Sequence, residues 1–324
     1  IIEHPQGYLA RMSYMPTPFF ISGLGRSWVT DTLAYKIYPG CAYIDTTVDA
    51  LLAILSDYRD EKGKDLDPAE VEEVEVRATL LTVEMDRLSK TGGNFDPESP
   101  VSVNFSIPAN VALVLLHGGL SPDHLGKAEL KKNSGLIKEL ADKVRLEHDW
   151  SLTLSFLEAV DGVLPLEDVL AEIERSKFWK ARSSIQEQYG SSMGFGLADL
   201  KKLWQETDVK SRLRRYAGSR LWGKGKKAGG GFDLGNCPVH RFTMPFAARV
   251  TLRTNTGAVY SKKQDVPHGG PGHPLDITED FVLKKYICES GKILGIEKAN
   301  ANVKYADDLE VKLTAGKLLD QSSM

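Results

Sequence analysis

Cysteine is scarce. The 324-residue chain has three, Cys41, Cys237 and Cys288, all far apart. With no CxxC pair and no His/Cys cluster, neither a disulfide framework nor a structural zinc site is expected, which suits a reducing, intracellular setting. Long apolar runs are missing too. None approaches the roughly 20 residues that a membrane helix requires. The start shows no signal-peptide pattern, so the expected location is cytoplasmic. An excess of charge of one sign is also lacking: 41 Lys and Arg against 44 Asp and Glu leave a net charge of -3. That balance gives no overall attraction to nucleic acid or to an anionic membrane. The chain opens Ile1-Ile2-Glu3 without Met, and residues are expected upstream of it.

Two nucleotide motifs are absent on inspection. Gly23-Leu24-Gly25 has no third glycine at the spacing of a dinucleotide fingerprint and no clear strand before it. The run Gly218 to Gly225 approaches a phosphate loop but lacks the Ser or Thr that would hold Mg²⁺, and a basic helix precedes it. No internal repeat is evident.

What is present is an ordinary globular composition, 42% hydrophobic and 26% charged, in a chain long enough for two domains. The stretch Ala34 to Leu55 organises the rest. Lys36 sits among Tyr35 and Tyr38, and Pro39-Gly40 bends the chain. A helix follows, with Val48, Leu51, Leu52, Leu55 and Tyr58 on one face. Asp45 reads as its N-cap or as an acid–base group. A cation thus stands at a bend beside a helix N-terminus that favours anions.

Further along, alternation predicts a strand over residues 73–85. Ser106, Pro108 and Gly118-Gly119 bound a buried helix whose mid-point amide, Asn110, reads as a satisfied core group. Two short helices are expected at 122–130 and 134–142, then a short strand at Val144, Leu146 and His148. Helical patterns with polar faces fill 150–204, and Lys210 to Lys227 is a basic run without an acid. The run reads as a solvated basic face or a clamp on an acidic protein surface, and Tyr216 and Trp222, interleaved with it, also suit RNA. A hairpin turns at Asn255-Thr256-Gly257. A Gly/Pro loop carrying His268 and His273 follows. Asp276 and Glu279 then read as a capping box opening a helix over 277–293, and the tail after Lys298 is polar.

Three blocks together carry a resemblance: YKIYPGC with VDALLAI, FSIPANVALVLLHGGLSP, and RVTLRTNTGAVYSKKQDVPHGGPGHPLDITEDFVLKKY. They resemble the C-terminal half of the MmgE/PrpD family, whose members include 2-methylcitrate dehydratase, cis-aconitate decarboxylase and iminodisuccinate epimerase. The resemblance implies an α+β fold: the end of an all-helical domain at 1–35, an inserted α+β domain at 36–274, and a return to the helical domain at 275–324. An extra helical insertion spans about 150–243. The family commonly places a His nine positions after the lysine of its KxYP motif. Here that position is Asp45.

The implied activity is that of a lyase or isomerase acting on a small di- or tricarboxylate by proton abstraction next to a carboxylate, as in dehydration of a 2-methylcitrate-like acid. Lys36 and Asp45 are the candidate catalytic residues, and Arg26, Ser106, His268 and His273 the candidate substrate-binding ones. Removing a proton α to a carboxylate builds charge there, which fixed cations stabilise. The resemblance implies no metal and no organic cofactor. It implies a homodimer, or a second chain supplying the helical domain. The alternative is a non-catalytic partner subunit that binds an acidic protein or RNA through its basic loop; a steep salt dependence of binding would mark the RNA case.

Overall fold

The computed structural model describes residues 7–12, 22–27, 32–90, 95–166 and 233–307, with 169, 179–181, 183, 184 and 187 between them. The basic run at Lys210 to Lys227, most of the polar helices before it and Trp28 lie outside the described residues. The α-helices are α1 (Tyr8–Met12), α2 (Asp45–Lys62), α3 (Leu80–Ser89), α4 (Pro100–Asn104), α5 (Ile107–His117), α6 (Lys127–Asp142), α7 (Trp150–Asp161), α8 (Leu275–Leu294) and α9 (Ile296–Asp307). The strands are β1 (Val71–Ala78), β2 (Val144–His148), β3 (Ala248–Thr254) and β4 (Val259–Gln264).

The fold is α+β. One mixed sheet has the order β2-β1-β3-β4. β2 lies parallel to β1, whereas β3 is antiparallel to both β1 and β4. Alternation gives the sheet two unlike faces. Val74, Val76, Ala78, Val250 and Leu252 are buried in the core, under α2, α5 and α6. The other face carries charge: Arg145 bridges Glu73, Glu75 and Glu147, and Arg77 pairs with Glu75. The hairpin of β3 and β4 turns at Gly257, where φ is +84°. A glycine adopts that angle at little cost.

The α2 helix is the centre of the packing. Val48, Leu51, Ile54 and Tyr58 are buried on it, and it touches β3, β4 and α5. Thr46 Oγ1 donates to the carbonyl of Phe246 at the entry to β3, and Tyr58 donates to Glu70 at 2.7 Å. These bonds fix the helix on the sheet at both ends. The bend ahead of it has its expected cause: Gly40 has φ +109°, and a Cβ there would run into Ile44.

Several sequence expectations are corrected. The strand ends at Ala78 rather than at 85, because Thr79 starts α3: its Oγ1 accepts from the backbone of Thr82 at 3.3 Å. Residues 122–142 form one short 3-10 turn, Pro122–Leu125, and one long helix, α6, not two short helices. The proposed box at Asp276 does not form, since α8 begins at Leu275 with Pro274 in the cap position and no side-chain cap bond. The stretch after Lys298, polar as read, is helical to Asp307. Asn110 is only half satisfied: its Nδ2 donates to Val103 and Ser106 carbonyls, while its Oδ1 is buried without a partner. By contrast α5 is bounded as its residues predict, with Ser106 accepting from Ala109 N and Gly118 left-handed at the end.

Candidate active site

The site forms where three segments meet: residues 35–38, the first turns of α2 and the loop 267–273. Tyr35 N donates to the Gly269 carbonyl at 2.8 Å. Gly269 has φ +80°, and a Cβ there would strike the Tyr35 carbonyl, so only glycine lets these segments lie so close. The helix α8 closes the arrangement. Its Lys285 donates from Nζ to the Lys36 carbonyl at 2.5 Å, and its Phe281 stacks on His268 at 4.6 Å between centroids.

Asp45 is not an N-cap. A 3-10 turn, Ala42–Ile44, runs straight into α2, so Ile44 takes the cap position and Asp45 becomes the first helical residue. Its side chain points inward instead. It is 4% exposed, and its Oδ1 is buried with no hydrogen-bond partner. Burial, and then the charge of Asp49 one turn on, push its carboxyl up to about 7, against the pull of Lys36 and Lys285. An acid that titrates near neutrality can both give and take a proton at ordinary pH.

Asp49 is satisfied where Asp45 is not. Its Oδ1 accepts from Tyr38 Oη at 2.7 Å and pairs with His268 Nδ1 at 2.7 Å, and its Oδ2 accepts from His268 N at 2.9 Å. Burial and Asp49 hold the Tyr38 phenol well above its usual range, so it stays protonated and donates. The bond to Asp49 raises the His268 imidazole, with desolvation opposing it.

Of the residues singled out in the sequence, four meet here. Lys36 is exposed at the bend, near enough to act on Asp45. His268 joins through Asp49, and His273 lies 5.3 Å from it, ring to ring, with Nε2 on the Val266 carbonyl at 3.0 Å. Arg26 is engaged elsewhere: it pairs with Asp233 at 2.7 Å and donates to the Ser22 carbonyl. Ser106 serves as the buried cap of α5. Sequence reasoning missed Asp49, the role of the Tyr38 hydroxyl and that of Lys285. The signal for Asp49 was its spacing: Asp45 and Asp49 stand four apart on the face that also carries Val48, a costly place for two acids.

Among the described residues no group of three or more His, Cys, Asp or Glu is arranged to hold a metal ion, and no helix is long and apolar enough to cross a membrane. Curated proteins give no match to the chain. The family model of the MmgE/PrpD C-terminal domain matches residues 38–174, a span that holds Tyr38, Asp45 and Asp49, starts two residues after Lys36 and stops before the histidine loop. Over residues 38–174 the chain is thus similar to the MmgE/PrpD C-terminal domain, a likeness that suggests a dehydratase-type enzyme family.

Proposed function

We propose that this chain takes part in proton abstraction next to a carboxylate of a small di- or tricarboxylate, as in the dehydration of a 2-methylcitrate-like acid. The observation that carries this reading is Asp45, a buried carboxyl with an unpartnered oxygen, raised to about 7 by burial and Asp49 and within reach of the charges of Lys36 and Lys285. In the ionised form it removes the proton α to the substrate carboxylate. Lys36 and Lys285 hold that carboxylate and stabilise the charge that builds on it. The C–H electron pair becomes the double bond as the C–O bond breaks, and the hydroxyl leaves with a proton as water. A substrate carboxylate also brings negative charge toward Asp45, which keeps the catalytic carboxyl poised rather than fully ionised.

On this reading residues 36–274 make up the α+β domain, and 275–324, with 1–35, belong to a helical domain. The helices α8 and α9, packed on each other, fit that division. A homodimer, or a second chain, would complete the helical part. The test is solvent exchange. The natively purified protein is incubated in D₂O with a panel of di- and tricarboxylates, and deuterium uptake at carbon is followed by NMR and mass spectrometry. At least one acid is expected to exchange or dehydrate, and exchange across the whole panel no faster than in buffer would defeat the reading.

A further inference from the structure

We infer that Asp49 is a positioning residue that fixes His268 as the second proton-transfer group of the site, presenting its Nε2 to the substrate opposite Asp45. This inference rests on the reading above. Its own ground is the geometry of Asp49, whose side chain is fully buried and bonded on both oxygens. Two of those bonds go to one residue, to the backbone N–H and to the ring of His268, 219 positions away in the chain. The third comes from Tyr38, two residues after Lys36. Asp49 therefore ties the lysine segment to the histidine loop.

That clamp settles which nitrogen reacts. With Asp49 on Nδ1, the neutral imidazole keeps its proton there, and Nε2 is the nitrogen that exchanges protons. Phe281 stacked on one side and His273 beside it fix the plane of the ring, which is still 30% exposed. His268 is bonded to Asp49, one helical turn along α2 from Asp45, and the inference requires a small substrate that reaches both.

The chemistry balances. Asp45 takes the α proton, the electron pair forms the double bond, and His268 Nε2–H gives its proton to the departing hydroxyl, which leaves as water. Solvent returns a proton to His268 and removes one from Asp45. Of the charged and titratable groups near His268, Asp49 on α2 bonds it, Tyr38 on the entering segment shares that carboxylate, and His273 on its own loop lies beside it, while Lys36 and Lys285 act on Asp45. The bond to Asp49 favours the charged imidazole. Its contribution to stability is therefore full below the ordinary pKa and is lost as pH rises through the raised one.

Three variants of the full chain, Asp49→Asn, His268→Gln and the double variant, test this beside ¹⁵N NMR of the histidine rings. In the wild type His268 should titrate above 6.5, with its neutral form protonated on Nδ1. Asp49→Asn should lower that midpoint, because the hydrogen bond and charge that raise it are gone. It should also cut kcat about 10²-fold or more with less change in KM. The double variant should be no slower than His268→Gln, because Asp49 acts through the ring. A His268 midpoint untouched by Asp49→Asn, or costs that multiply in the double variant, would overturn the inference. Should Asp49→Asn fail to fold, a wild-type His268 that is protonated on Nε2 when neutral overturns it alone. An active His268→Gln beside an inactive Lys36→Ala removes this inference and leaves the proposed function standing. A wild type inert on every acid removes the function, while the ring titration still decides the clamp.

Discussion

Replacing Asp45 by Asn will make the protein more stable at pH 8 and leave it unchanged near pH 4. The reason is the direction of the shift. Folding raises the Asp45 carboxyl from its ordinary 3.8 up to about 7, so the folded state holds the proton more tightly than the unfolded chain does. The stability linked to that proton is fully present below about pH 4 and falls away as the pH climbs through about 7. Above that, the fold carries a buried charge whose Oδ1 has no partner. Asparagine keeps the shape without the charge. At about 1.4 kcal/mol per unit, the gain at pH 8 should be about 2–4 kcal/mol. Urea unfolding of both proteins at the two pH values measures it. A variant equally destabilised at both would mean that the carboxyl is ordinary. The same exchange should remove turnover, the usual trade where a site holds an ill-satisfied group for its chemistry.

The second large effect belongs to Lys36. Its side chain is exposed, so Lys36→Ala should change stability by no more than about 0.5 kcal/mol. Turnover should fall sharply. A fixed cation at developing charge is worth about 10²–10³-fold, and kcat/KM in the complete assembly should drop by at least that much. On the proposed reading the loss should fall mainly on kcat, because the charge that Lys36 would stabilise grows in the transition state. Lys285 on α8 is the control. It braces the Lys36 carbonyl, and its loss should weaken the site through both position and charge. An unchanged kcat/KM in Lys36→Ala would remove Lys36 from the mechanism.

How much of this was legible in the sequence depends on how local each signal is. The helix α5 reads correctly because its cap, its early proline and its closing glycine are all within a dozen residues. The β3–β4 hairpin and β2 read correctly for the same reason, through alternation and a turn residue. The boundary at Thr79 was hidden because the apolar alternation of β1 runs on through Leu80 into a helix. The helix α6 looked broken because its middle, Lys131 to Ser134, is a polar run with no apolar residue to carry the helical period.

The site itself was half visible. Lys36 and the two histidines stand out by chemistry and by their Gly/Pro surroundings. Asp45 reads both as a cap and as an acid–base group, and the cap reading fails because nothing in the sequence reveals that a 3-10 turn occupies the three positions before it. Asp49 was passed over altogether. Its partner His268 is far away along the chain, and only the docking of Gly269 on Tyr35 brings the two together. Pairing of this kind is set by tertiary packing, so spacing rules do not reach it.

On the proposed reading the buried Asp45 carboxyl exchanges a proton near neutral pH, within reach of the charges of Lys36 and Lys285. The most direct test is the titration of the Asp45 carboxyl itself, followed by ¹³C NMR of aspartate-labelled protein and assigned with Asp45→Asn. A midpoint near 7 that rises further in Lys36→Ala, where one opposing cation is gone, is the expected result. A midpoint near 4, unmoved by the loss of Lys36, would contradict it.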